Sequence, residues 1–402
     1  MKPLRFVLLL LVSLLLTGQL HAAQLIPNDP RFHRQWHLSN QSSVYQGKDM
    51  SAPAAWAITT GSTNVTVAIL ATGIRLSHPD LDGRIRGGTN LVDGNADYTD
   101  HDGLGTELAA IQAGTGNNHY DYAGIDWQCG IIAVKIARSN ELASASLMAR
   151  GINYAVSNGC KIITIPYGVD VNTTELLNSV SNAFAKNVLI VAPIGRSADP
   201  ASPGNRPQAI GVSVTNTGDK RISAYGPGVD VAASGDQIDC FSHNVNGTSV
   251  RGYPYGAPQV AGVCSLLLSI RPHLTPTQLR ALICAGGMDL VGGAGSGDVP
   301  GWDQHFGWGK VNAYYSLQLA LTEIDQFNLT EDDKIQFSWS SPPNLSNKQP
   351  YELYASPSID GPWEKLSPVF TYNGQRTTVV IPTSEITQFF RVAIREDWPD
   401  GT

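Results

Sequence analysis

From residue 28 to about residue 321, short apolar runs alternate with longer segments whose apolar positions recur every three to four residues. The runs VTVAIL (65 to 70), GIIAVKI (130 to 136), KIITI (161 to 165) and VLIVA (188 to 192) are β-branched and nearly unbroken. They predict parallel strands covered on both faces, because a strand with one face in water alternates apolar with polar. Between them, Leu147, Gly151, Ile152, Ala155 and Val156 define a helical face ending at Asn158 and Gly159, and Leu177, Val180 and Phe184 define another. Thr275 before Pro276 reads as an N-cap followed by the first helical residue. Pro258, tolerated only in the first turn of a helix, starts a helix just upstream of itself, and Ala257, Ala261 and Gly262 let its backbone approach its neighbours closely. The alternation predicts a doubly wound parallel α/β sheet with its ligand site beyond the carboxyl ends of the strands.

After Leu321 the period shortens. KIQFSWSS, PYELYAS, GPWEKL, TTVVIP and QFFRVAI are alternating runs separated by Pro, Asn, Gly and Asp, as in a small antiparallel β-sandwich with Trp339, Tyr351 and Phe390 in its core. The expected division is a leader at 1–23, an α/β domain at 24–323 and a β-sandwich at 324–402.

The leader has Lys2 and Arg5, then an apolar run, then Ala22 and Ala23. That is the make-up of a secretory signal peptide, and no later stretch is apolar enough to span a bilayer, so the expectation is a secreted or periplasmic protein. A net charge of -7 excludes nucleic acid as the expected partner. The five cysteines are widely spaced and odd in number, so at least one stays unpaired. Cys264 and Cys284 read as buried thiols, and a Cys129 to Cys160 bridge is conceivable from the sequence.

The blocks PRFHRQWHLSN, DMSAPAAWAITTGS, VTVAILATGIRLSHPDL, HDGLGTELAAIQAG, GNNHYDYAGIDW, APQVAG and GWGKVNA occur in the order found in the subtilisin-like serine peptidases, or subtilases, which residues 28 to 320 resemble. The resemblance implies an aspartate that orients a histidine, a histidine that takes the proton of a serine, and an asparagine that donates to the oxyanion. Here those positions hold Ala71, Glu107, Pro254 and Arg196. Ser249, in GTS, lies nine residues before Pro258 where the family's serine lies four before. The difference is about 7 Å along a helix or about 17 Å extended, against a nucleophile-to-base reach of about 3 Å. Glu107 stands where the related sedolisins use glutamate, but the aspartates that accompany it there are replaced by Ile111 and Arg196. An ion pair between Glu107 and Arg196 is the expectation. The few residues between leader and PRFHRQWHLSN leave no room for an inhibitory prodomain. The resulting reading is an exported pseudopeptidase that binds polypeptide; the alternative is a serine endopeptidase using Ser249 or Glu107.

The resemblance also implies a Ca2+ site, with Gln41, Asp80, Asn118 and the carbonyls of Gly116, Tyr120 and Tyr122 as ligands, an all-oxygen set of the kind calcium prefers. It implies a sheet in which the strand Val65 to Leu70 separates Cys129 from Cys160, which disfavours their bridge, and a substrate groove at Pro166, Tyr167 and Gly168, where a guest peptide adds as a strand. Arg196 at the old oxyanion position is suited to a peptide's terminal carboxylate. The competing expectation is that Glu107 neutralises Arg196 while Tyr253 and Tyr255 fill the cleft.

Overall fold

The computed structural model describes residues 24–40, 47–138, 143–169, 172–195, 202–291, 298–322, 326–329, 334–342, 350–356, 364–382 and 389–394. The expected leader, Gln41 and Arg196 lie outside these residues.

Seven parallel strands form the central sheet: β1 (Thr66–Ala71), β2 (Ile85–Asn90), β3 (Gly130–Lys135), β4 (Ile162–Thr164), β5 (Leu189–Pro193), β6 (Ala209–Thr215) and β7 (Val231–Ser234), in the order β2-β3-β1-β4-β5-β6-β7. The four expected strands are β1, β3, β4 and β5. β2, β6 and β7 are additions: the Arg and Gly of IRGGTN and the Ser and Thr of AIGVSVT interrupt the apolar runs on which a sequence reading relies.

Alternate residues of each strand serve two cores. Val67, Ile69, Ile131, Ala133, Leu189 and Val191 belong to one cluster, and Ala68, Leu70, Ile132, Val134, Ile190 and Ala192 to the other. The second cluster lies under α3 (Ala145–Ser157) and α4 (Thr174–Ala185). The first is covered by α1 (Ala52–Trp56), α2 (Leu104–Ala113), α5 (Gly256–Ile270), α6 (Pro276–Gly286) and α7 (Ala313–Ala320). A strand apolar on both faces is what such burial demands.

The expected cap at Thr275 is present, and two more caps go beyond what the sequence reading named. Ser144 and Thr173 cap α3 and α4, and Thr275 and Gln278 form a capping box around Pro276. On α4 the buried stripe is Leu176, Ser179, Val180 and Ala183, so the face expected at Leu177, Val180 and Phe184 is rotated by about one position (~100°). α5 is buried from Gly256 to Leu268. Its close approach depends on small residues: a Cβ at Gly256 would sit 2.5 Å from Val214 Cγ1, and one at Gly262 2.7 Å from Ile125 Cβ.

All five cysteines are buried and none forms a disulfide. Cys129 precedes β3 and Cys160 precedes β4, with β1 between those strands, which accounts for the missing bridge.

The C-terminal part holds a four-stranded antiparallel sheet of β10 (Gln326–Leu329), β11 (Lys334–Ser340), β15 (Arg376–Pro382) and β14 (Phe370–Tyr372). A three-stranded one contains β13 (Glu364–Leu366), β12 (Tyr351–Ser356) and β16 (Phe389–Ile394). Trp339 and Tyr351 are both buried and meet edge to face at 5.1 Å, as expected of core aromatics. The side chain of Phe390 is outside the description.

Candidate functional site

The carboxyl end of β1, the first turn of α2 and the turn that leads into α5 meet at one place. Thr72, the residue after Ala71, accepts from Gly105 N at 3.0 Å and donates to Asp100 Oδ1 at 2.9 Å. Asp100 also accepts from the backbone of Asp102, Gly103 and Thr106 and from the Thr106 hydroxyl, at 2.6–3.0 Å. Burial pushes its carboxyl up, but these donors, the Thr106 hydroxyl foremost, outweigh burial and hold it below the usual carboxylate range. Asp100 thus ties the end of β1 to the start of α2. An aspartate in the turn before a helix, accepting from residues two and three ahead, is a visible capping signal that the resemblance to a catalytic motif overshadows.

Glu107 projects from the first turn of α2. Its Oε1 accepts from Ser242 Oγ at 2.8 Å and its Oε2 from Tyr255 OH at 2.8 Å. Burial raises its carboxyl, and the bonds from Tyr255 and Ser242 partly offset that rise. The expected partner Arg196 is outside the described residues; the partners shown are these two hydroxyls. Tyr255 closes the 3-10 turn that holds Pro254 and supplies the residue before α5. Gln259 fastens that turn: its amide, fully buried, donates to Ser234 O at the end of β7 and to Tyr255 O.

Two side chains here carry no signal in the sequence. A Cβ built on Gly103 would sit 2.6 Å from Ser242 Oγ, 2.9 Å from His243 Nδ1 and 3.1 Å from Glu107 Oε1, so these three groups ring one point. His243 Nδ1 is buried and makes no hydrogen bond. Ser242 and His243 follow β8 (Ile238–Cys240) in the hairpin that continues to β9 (Thr248–Val250), and only that chain path brings them to α2. Ser249 lies elsewhere: it is exposed on β9 opposite Asp239, which pairs with Arg34 at 2.7 Å.

In the expected groove, Pro166 and Tyr167 are buried and Gly168 is half-buried. The Tyr167 ring belongs to the core under α3 and α4, and its hydroxyl is buried without a partner. Val169 already exchanges both backbone bonds with Ser202, at 2.9 and 3.1 Å. The segment therefore offers a guest little beyond the backbone of Gly168.

The loop expected to hold calcium gathers oxygen atoms. Asp80 is fully buried, its Oδ1 accepts from Asn118 Nδ2 at 2.8 Å, and its Oδ2 makes no hydrogen bond, with His78 Nδ1 4.0 Å away. Asn118 Oδ1 accepts from Tyr120 N at 2.9 Å. A carboxylate the sequence reading missed reaches the same loop: Asp29 Oδ2 accepts from Asn117 N at 2.6 Å, while its Oδ1 is buried and unpartnered. Burial pushes the Asp80 carboxyl up to about 7, and the neighbouring charges of Asp121 and Asp29 add to the rise. His78, stacked on Phe241 at 3.6 Å, is pushed down to about 4, first by burial and then by the charge of Arg75, and so stays neutral. Gly116 lies flat on Trp127, where a Cβ would come within 2.4 Å of the ring, and Tyr122 is buried with its hydroxyl unpaired. Among the described residues no lysine or arginine pairs with Asp29 or Asp80, and crowded carboxylate oxygens of this kind fit a divalent cation.

The subtilase family model matches residues 62–309 of the chain. Thermitase of Thermoactinomyces vulgaris is 32% identical over 296 residues, 73% of this chain and 99% of that protein. A thermophilic serine proteinase of Bacillus sp. (strain AK1) is 30% identical over 300 residues, 71% of this chain and 70% of that one. Among solved structures, proteases from Pseudoalteromonas arctica PAMC 21717 share the fold, with a TM-score of 0.63 at 24% identity over 73% of this chain and 99% of that one.

Proposed function

Because the chain belongs to the subtilase family, we propose that it is an exported member that binds polypeptide without hydrolysing it. One observation carries this reading. The carboxylate of Glu107, at the position where the family resemblance calls for an imidazole base, has each oxygen occupied by a hydroxyl, one from Ser242 and one from Tyr255. Acyl transfer needs a nucleophile whose proton passes to a base that a third group holds in orientation, and here the second oxygen of Glu107 is taken by the Tyr255 hydroxyl. Ala71 has no group with which to orient a base, and Pro254 has no nucleophile. The backbone at Gly168 is where a guest strand would pair, and the apolar, basic-started leader supports export. The C-terminal sheets are read as a fibronectin type III-like spacer.

A second reading has its own support. Ser242, Glu107 and His243 surround one point, so a hydroxyl, a carboxylate and an imidazole are together on a family frame. Against it, Ser242 is buried and donates its hydrogen bond to Glu107, and His243 Nδ1 makes no hydrogen bond, so the imidazole is not positioned as the base of this serine. Incubating the protein with unfolded casein from acid to alkaline pH separates the readings. Casein is expected to be retained and left intact, where a working triad accelerates the reaction by about 10⁶-fold or more. Cleavage abolished by Ser242→Ala and by His243→Ala would install the second reading; cleavage abolished by Ser249→Ala would restore the displaced serine.

The same reading assigns calcium to Asp29, Asp80 and Asn118, with the carbonyls of Gly116, Tyr120 and Tyr122 and with Gln41 completing the set. The Asn118 amide has to turn so that its oxygen faces the ion. Binding to the folded chain alone contributes about 2.7 kcal/mol when calcium is at a hundred times its Kd. Thermal unfolding is therefore expected to shift upward with calcium, to fall back with chelator, and to be insensitive to both in Asp80→Asn. Identical midpoints with calcium and with chelator in the unaltered chain would remove the site.

A further inference from the structure

The connection that precedes α7 carries a cluster that the proposed function does not use. Asp303 and Gly307 exchange backbone bonds at 3.1 and 2.9 Å, and Asp303 Oδ1 accepts from His305 N at 2.7 Å and Phe306 N at 2.8 Å. That cap leaves Oδ2 buried and without a hydrogen-bond partner, on a residue only 4% exposed. His305 Nδ1 lies 2.7 Å from Asp298 Oδ1. One ligand-type atom from each of Asp298, Asp303 and His305 falls within 4.8 Å of the other two.

The imidazole is held in place from outside the cluster. Tyr225 meets its edge at 4.9 Å, and Arg221 sits over Tyr225 at 4.3 Å. Leaving a buried carboxylate oxygen unpaired costs about 1–3 kcal/mol, more when it is charged, so the arrangement calls for a group that satisfies Asp303 Oδ2 and accepts two further donor atoms beside it.

We propose that Asp298, Asp303 and His305 form a binding site for a divalent transition-metal ion, with Zn2+ as its occupant. Calcium and magnesium favour all-oxygen sets, whereas an imidazole beside two carboxylates suits zinc. Zinc–ligand distances of about 2.0–2.2 Å separate tetrahedral donor atoms by about 3.3 Å, so the His305–Asp298 contact opens by about half an ångström as the ion enters. Asp298 and His305 line a cleft of about 670 Å³ whose walls include Lys48, Lys220 and Arg221, and Asp303 stands behind them. Three protein ligands leave one tetrahedral position, which faces this cleft and is filled by water or a small anion drawn by the three cations. The site also clips the connection to the sheet, since Trp302 Nε1 donates to Val229 O and Trp308 N to Asp230 O beside β7.

Isothermal titration of the full chain with zinc chloride, run in excess calcium so that the Asp29 and Asp80 carboxylates are occupied, tests this. One zinc ion per chain is expected. Removing a ligand is expected to weaken binding at least as much as loss of a supporting partner does, about tenfold or more. Asp303→Asn keeps the oxygen that caps the turn, and His305→Ala leaves the cap untouched, so the two variants do not share a folding defect; circular dichroism checks each. Asp80→Asn is expected to bind zinc as the unaltered chain does. No zinc binding by the unaltered chain, binding by both ligand variants as tight as that of the unaltered chain, or a loss confined to Asp80→Asn would overturn the proposal.

Discussion

Gly105→Ala is expected to destabilise the chain by about 3 kcal/mol or more, because its methyl group meets backbone on a side where nothing can give way. A Cβ at residue 105 would lie 1.9 Å from the Gly73 carbonyl oxygen. Gly73 cannot retreat: it has φ +113°, and its own Cβ position is 2.5 Å from Tyr98 O. The first turn of α2 would have to lift from the end of β1, stretching the bond from Gly105 N to Thr72 Oγ1. At about 2–4 °C per kcal/mol for a domain of this order of size, the thermal midpoint should fall by about 6–12 °C. A midpoint matching that of the unaltered chain would show that the two segments part without cost. The glycine is therefore needed by the frame whether or not a catalytic residue follows it two positions later.

Asp100→Ala is the second large effect, expected at about 3 kcal/mol or more at neutral pH, since the substitution strands donors of Thr72, Asp102, Gly103 and Thr106 in a buried place. The pH dependence has a definite sign. The folded carboxyl titrates below its ordinary value of 3.8, so its ionised bonds contribute fully above the unfolded pKa and are lost as pH falls through the lower folded one. Urea unfolding of both chains, at neutral pH and at successively more acid values below that ordinary pKa, should show the difference between them narrowing on acidification. A difference that stays constant, or widens, into acid would mean that the ionised form contributes nothing special.

Much of the frame was legible because it obeys simple periodicities. β1, β3, β4 and β5 are buried on both faces, and a doubly buried strand has no choice but to be apolar throughout. β2 was illegible because two glycines replace its side chains; a Cβ at Gly88 would lie 2.3 Å from Ala133 O, so close pairing with β3 and an apolar strand residue there exclude each other. The α4 stripe was misread by one position because Leu176 and Leu177 are adjacent and only packing against β5 chooses between them. In the site, the positions of Ala71, Glu107 and Pro254 could be assigned from the resemblance to family motifs. The partners of Glu107 could not, because Ser242 arrives by a hairpin and Tyr255 by a turn, and neither path leaves a local pattern. Asp29 leaves no local pattern either: that it reaches the loop holding Asn117 and Asn118 is decided by tertiary path.

The five sealed thiols give the molecule a built-in clock for its own opening. Burial pushes Cys129 and Cys160 up to about 12, so neither is a thiolate while folded, and a thiol reagent reaches them only through an opened state. Cys160 belongs to the core beneath α3 and α4, whereas Cys129, Cys240, Cys264 and Cys284 belong to the core on the opposite side of the sheet. Pulsed alkylation followed by peptide mapping thus times the two layers separately. If the layers come apart independently, Cys160 acquires label at its own rate; if the sheet yields as one body, all five are labelled in step.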